Sequence, residues 1–233
     1  MMILLFTLAC LPDPDSVNLS GQVLAGQYAE SGAPNLQVES LDSMLAPFDE
    51  TSTDTNGEFS VGVQASGVYH LHLSGEGTIT TAFSGVVGQS DIELDTGKLF
   101  VRTEEEVAAL RGAHENCPTA TDAGGIIEGI VEFPLTSDAT GEAIIAESAK
   151  VTASLNDAVT YESCVLDDDG ASLASGGSVG ATGRFAIFGV DPGSITLEFR
   201  QDIGNTTLTN YGFVLMPENG IAPFHPAIID LPQ

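Results

Sequence analysis

A chain of 233 residues has room for one large domain or two of roughly 100 residues each. Hydrophobic residues make up 42%, enough to build packed cores, which excludes wholesale disorder. The 33 acidic residues stand against 6 basic ones, a formal net charge of -27, which argues against nucleic-acid binding through Lys and Arg and against docking on an anionic membrane by a basic patch.

Residues 1–9 read MMILLFTLA, apolar except for Thr7, and Cys10 follows. A bilayer span takes about 20 apolar residues, so this run is a signal-peptide core rather than a transmembrane helix. Thr7, Leu8, Ala9 and Cys10 resemble the lipobox of bacterial lipoproteins, although Thr7 stands where Leu is usual and no Lys or Arg precedes the run. The resemblance implies cleavage before Cys10 and a diacylglyceryl group on its thiol. Leu11 rather than Asp in the next position would imply sorting to the outer membrane. Residues 10–17, with Pro12 and Pro14, then form a stiff tether. With Cys10 lipidated, Cys117 and Cys164 remain. An even remainder in an oxidising compartment suggests one disulfide; two separate thiols are the alternative.

From residue 18 onward the chain reads as short strands. Gly21 and Val23 open the first run, and Leu36 to Glu39 alternates. Asn56-Gly57 between alternating runs predicts a tight hairpin, because both residues tolerate positive φ. Tyr69, Leu71 and Leu73 fall on one strand face, with His70 and His72 on the other. Thr103 and Glu106 make a capping box. Val107 and Leu110 give an apolar stripe and Gly112 a stop, which predicts one helix of about ten residues. The pattern then restarts at Gly129 and Val131, with Val151 to Ala153, Gly183 to Phe185 and Pro192 to Leu197. Gly57 and Tyr69 have the same spacing as Gly183 and Ile195, which argues for an internal repeat.

These runs resemble the carboxypeptidase regulatory-like fold, related to CnaB and transthyretin-like domains. The first copy offers Thr53, Asp54, Gly57, Phe59, Tyr69 and Leu71. The second offers Thr182, Gly183, Phe185, Pro192, Gly193, Ile195 and Leu197, with Ile195 where Tyr is common. The resemblance implies sandwich domains that are mostly non-catalytic spacers, adhesins or sugar-binding modules. The Lys–Asn isopeptide bond of some relatives is not expected, since Lys98 and Lys150 are the only lysines.

Candidate chemistry is sparse. Asp167, Asp168 and Asp169 before Gly170 are the best metal candidate, because Ca²⁺ needs six to eight oxygen ligands; a solvated acidic turn is the alternative. His70 and His72 could chelate Zn²⁺, but two solvent-facing imidazoles are the favoured reading. Gly176, Ser178 and Gly180 match the serine-hydrolase pattern, yet lack the strand-to-helix elbow that its chemistry requires. Trp is absent and Tyr numbers four, too few for an obvious aromatic sugar platform; Tyr211 and Phe224 are expected to pack.

The expectation is therefore an all-β chain of two tandem Ig-like or prealbumin-like β-sandwich domains with one short linker helix. Residues 1–9 are the signal peptide, 10–17 the tether, 18–102 the first repeat, 103–123 the linker and 124–233 the second repeat. The function expected is a lipid-anchored, exported, non-catalytic structural, adhesive or partner-binding module of the cell envelope. The alternative is a calcium- or carbohydrate-binding surface module. No enzyme activity and no cofactor beyond calcium are expected. The partners would be the membrane, through the anchor, and an envelope protein or glycan.

Overall fold

The computed structural model describes residues 16–26, 29–94, 99–112, 123–133, 144–145, 149–166, 172–175, 183–203 and 205–228. The regular structure of the described chain is strand apart from one helix. In the first half, β1 (Ser16–Leu24), β2 (Gln37–Leu41), β3 (Pro47–Ser52), β4 (Glu58–Gln64), β5 (Gly67–Ser74), β6 (Thr81–Val87), β7 (Ile92–Glu93) and β8 (Leu99–Phe100) precede helix α1 (Glu104–Gly112). In the second, β9 (Gly125–Phe133), β10 (Ile144–Ile145), β11 (Lys150–Leu155), β12 (Val159–Glu162) and β13 (Cys164–Leu166) come first. They are followed by β14 (Ser172–Ser175), β15 (Arg184–Val190), β16 (Gly193–Ile203), β17 (Thr206–Met216) and β18 (Ile221–Ile228).

Two sandwiches with the same pairing scheme result. In the first, β1 pairs antiparallel with β4, β2 with β5 and β3, and β5 with β6. In the second, β9 pairs antiparallel with β15, β11 with β16 and β12, and β16 with β17. Each opening strand also takes a late strand in parallel: β7 and β8 lie on β1, and β18 lies on β9. The repeat read from spacing is thus a repeat of topology.

Register explains the repeated letters. Gly21 lies opposite Phe59, and Gly129 lies opposite Phe185. A Cβ on Gly129 would come 2.8 Å from the Phe185 ring, and one on Gly21 would come 3.4 Å from the Phe59 ring. At Gly129 the missing side chain leaves room for the phenylalanine to lie across the opening strand, whereas at Gly21 a Cβ would make only ordinary contact with the ring. Gly57 and Gly183 both have positive φ, 79° and 67°. Their carbonyls accept from Val23 N–H at 2.9 Å and Val131 N–H at 3.0 Å, tying each turn to the opening strand.

The Asn56-Gly57 turn departs from the expected hairpin. β3 pairs with β2 and β4 with β1, so the turn carries the chain from one sheet to the other. Only Gly57 of the two has positive φ. Asp54 Oδ1 instead organises the corner, accepting from the N–H groups of Asn56 and Glu58 at 2.8 and 2.9 Å. Thr53 anchors it, donating to the Ala33 carbonyl at 2.7 Å and accepting from Leu36 N–H at 2.9 Å.

The helix follows its capping box: Thr103 N–H donates to Glu106 Oε2 at 2.8 Å, and Glu106 N–H donates to Thr103 Oγ1 at 3.2 Å. Val107 and Leu110 turn inward as expected. Their partners are Ile126, Cys164, Ala186, Phe188 and Ile221 of the second sandwich, with Ile79 of the first beside them. This cluster explains the unbroken apolar run Phe185 to Phe188. Phe185 and Ile187 enter the main core of the second sandwich, while Ala186 and Phe188 face the helix side.

One sheet runs through both repeats, in the order β14-β13-β15-β9-β18-β6-β5-β2-β3. Its midpoint is the parallel contact of β18 with β6, where Ile221 faces Thr81 and Ile221 N–H donates to the Thr80 carbonyl at 2.9 Å. Beside it, Arg102 grips Glu128 in the middle of β9. Nε reaches Oε1 and Nη2 reaches Oε2, both at 2.7 Å, with side-chain exposures of 13% and 5%. The Arg102 guanidinium also lies 5.6 Å over the Phe100 ring.

Candidate functional site

Several sequence candidates lie outside the described residues: Cys10, Cys117, the triplet Asp167, Asp168 and Asp169, and the Ser178 loop. Cys164 is described. It is buried at the start of β13 in the cluster under the helix, and its sulfur is engaged rather than free. No helix among the described residues is long and apolar enough to cross a membrane.

His70 and His72 occupy the outer face of β5, away from Tyr69, Leu71 and Leu73, as the alternation predicts. They are half-buried rather than solvent-facing, and β17 meets this side of the sheet at Ser84, beside His70. His70 Nδ1 lies 2.7 Å from Ser84 Oγ on β6, and Leu215 N–H of β17 donates to the same oxygen at 3.4 Å. His72 Nδ1 sits 3.9 Å from Glu39 Oε2, while its Nε2 is buried without a hydrogen-bond partner. Among the described residues, no group of three or more His, Cys, Asp or Glu side chains is placed to hold a metal ion.

Burial lowers the pKa of both imidazoles. The neighbouring His72 adds to the effect at His70, and the Glu39 carboxylate opposes it at His72. The folded state therefore binds fewer protons here than the unfolded chain. Their contribution to stability is full above 6.5, the ordinary imidazole value, and falls as pH drops from there toward the lowered folded-state values. We expect the urea midpoint of the native protein to fall more between about pH 7 and pH 5 than that of a His70→Gln, His72→Gln variant. Equal falls would show that these imidazoles do not set the acid sensitivity of the fold.

The sheet β12-β11-β16-β17 leaves most of its outer face in solvent, although Leu215 on that face near the end of β17 is buried. Here the structure corrects one expectation. Phe224 packs, stacked on Phe199 with ring centroids 5.3 Å apart, but Tyr211 does not. Tyr211 is 57% exposed and Phe213 59%. Both project from β17 on the side opposite the buried Leu208 and Val214. The strand alternation from Leu208 to Val214 carried this signal. Composition alone hides it, because an aromatic residue in a strand is ordinarily core.

Cross-strand register defines what surrounds the two rings. Tyr211 faces Glu198, which faces Thr152; Phe213 faces Thr196, which faces Ser154. One step along lie Arg200 and Lys150, opposite each other, with Asp202 Oδ1 3.5 Å from the Arg200 guanidinium. The Asp202 carboxyl is held below its ordinary pKa, chiefly by the Thr207 hydroxyl, which donates to it at 2.6 Å.

No protein-family model matches the chain, and no curated protein matches it. Among solved structures, it is similar to the Bacillus anthracis TIE protein, with 11% identity over 92% of this chain and 34% of that one, at a TM-score of 0.32. A streptococcal ancillary pilin gives 12% identity over 95% of this chain and 64% of that one, at 0.27. GBS52, the minor pilin of Streptococcus agalactiae, gives 12% identity over 93% and 97%, at 0.31. The chain thus spans about a third of the first protein and just under two thirds of the second. Scores at this level carry no argument, and the architecture rests on the strand pairings above.

Proposed function

We propose that the chain is an exported, lipid-anchored, non-catalytic module of the cell envelope, structural or adhesive, that holds two sandwiches in fixed relation. The observation that carries this reading is the joint. A shared sheet, a common apolar cluster under the helix and a largely buried Arg102–Glu128 pair join the repeats. Two domains linked only for tethering would be expected to share a small, polar contact and move independently. A stiff two-unit body suits a spacer or a presenting platform, whose loops and sheet faces meet an envelope protein or glycan. Nucleic acid is not among the partners, given the net charge of -27.

In this reading Cys10 carries the lipid, the outer membrane is the destination, and the partner of Cys164 is Cys117. Intact and peptide mass spectrometry of the protein from its native membrane fraction tests all three. Loss of residues 1–9, acyl mass on Cys10 and a linked Cys117–Cys164 peptide are the expected results. An unprocessed, unacylated chain would remove the anchoring part. The calcium alternative rests on Asp167, Asp168 and Asp169. A melting temperature that rises with Ca²⁺ and falls with EDTA would favour it.

A further inference from the structure

The outer face of β16 and β17 combines features that a packed core does not need. Tyr211 and Phe213 are aromatic side chains that stand more than half in solvent. They are two apart on one strand face, so their rings stand about 7 Å apart along the strand. A directly opposed cross-strand neighbour lies within about 5.5 Å at Cβ, which places the half-exposed Glu198 beside Tyr211 and Thr196 beside Phe213. Thr152 and Ser154 continue the two rows on β11, so each ring heads a row of carboxylate or hydroxyl groups.

The backbone edge of β17 is less available than this face. Leu215 N–H is held by Ser84 Oγ and Tyr211 N–H by Asn210 Oδ1 at 2.8 Å. Recognition by adding a further strand is blunted at these two amides, whereas the face that carries Tyr211 and Phe213 is open to solvent.

We propose that this face is a binding platform for a neutral oligosaccharide, with Tyr211 and Phe213 as stacking surfaces and Glu198 and Thr196 as hydrogen-bonding partners. A pyranose ring has an apolar C–H face and a rim of hydroxyls. It matches an aromatic ring flanked by acceptors and donors, since the ring offers apolar area at little conformational cost. Charge selects the class of ligand. A chain of net charge -27 repels anionic polymers and a second copy of itself. The two rings sit among Thr, Ser and Glu with an Arg200–Asp202 ion pair beside them. That apolar area is narrow for a protein interface core, which excludes charge from its centre. The proposal rests on the glycan-meeting part of the envelope-module reading and names the face and the ligand class, and it holds whether or not Cys10 is acylated.

The test is titration of the full chain with neutral β-1,4- and α-1,4-linked hexose and N-acetylhexosamine oligomers, followed by calorimetry and by tyrosine emission, which no Trp obscures. At least one oligomer is expected to bind, with little change between low and high salt. The Tyr211→Ala, Phe213→Ala variant should bind at least about tenfold more weakly while melting at an unchanged temperature. Should that variant melt early, Thr196→Val with Glu198→Gln keeps both rings and is expected to weaken the same oligomer. The proposal is overturned if no neutral oligomer binds, or if binding survives in both variants. It is also overturned if the face captures only a cationic protein and releases it in salt.

Discussion

Replacing Glu128 by alanine is expected to lower the free energy of unfolding by about 3 kcal/mol, because it removes both charge-assisted bonds to Glu128 from a guanidinium that is largely shielded from water. Arg102 keeps only 13% of its side chain exposed in the joint, with Phe100 beneath it and the start of the helix following directly. Its two 2.7 Å bonds to Glu128 are lost together. The paired replacement Arg102→Met with Glu128→Leu should recover most of the loss, since removing both charges also removes the desolvation they impose. Urea unfolding of the native protein, the single variant and the double variant measures both steps. A loss below about 1 kcal/mol in the single variant would class the pair with exposed ion pairs. The joint would then not fix the two repeats.

Truncating Phe199 to alanine should cost about 3–5 kcal/mol, the range for a fully buried aromatic. Phe199 is 1% exposed in the core of the second sandwich. Its ring meets Phe185 edge-on at 6.0 Å and stacks on Phe224 at 5.3 Å, so three elements lose a shared contact at once. Gly212, opposite Leu197, leaves the space into which the Phe224 ring reaches; a Cβ there would lie 2.4 Å from it. On the other side of the same two strands, Tyr211→Ala or Phe213→Ala is expected to change stability by no more than about 0.5 kcal/mol. Thermal or urea unfolding of the three variants separates core from surface. A comparable loss at Tyr211 would mean that its ring is structural and would count against a binding role.

Local chemistry made much of this molecule legible in advance. The capping box at Thr103 and Glu106, the inward stripe of Val107 and Leu110 and the inward row of Tyr69, Leu71 and Leu73 all stand as the residue periods require. The matched spacing from Gly57 to Tyr69 and from Gly183 to Ile195 reported a true repeat. Each glycine turn is tied to an opening strand, and each following phenylalanine lies across a glycine on that strand. These are short-range constraints of φ, side-chain size and alternation, which a sequence states directly.

Other features needed the chain to meet itself. Asn56-Gly57 signalled a turn, but whether its flanking strands pair or part to different sheets depended on the partners of β3 and β4, which lie far off in sequence. Arg102 and Glu128 are 26 residues apart, and nothing local marks one as the buried counterion of the other. Tyr211 and Phe213 alternate correctly with Leu208 and Val214, yet alternation has no sign. It says that two faces differ, not which one is covered. By itself the sequence determined the strands, the turns, the helix and the acidic balance. Tertiary structure alone decided that the two sandwiches share a sheet, that a charge pair is largely shielded in their joint and that two aromatic rings stay in water. Burial is a property of what packs on top, and that is set by contacts between segments remote along the chain.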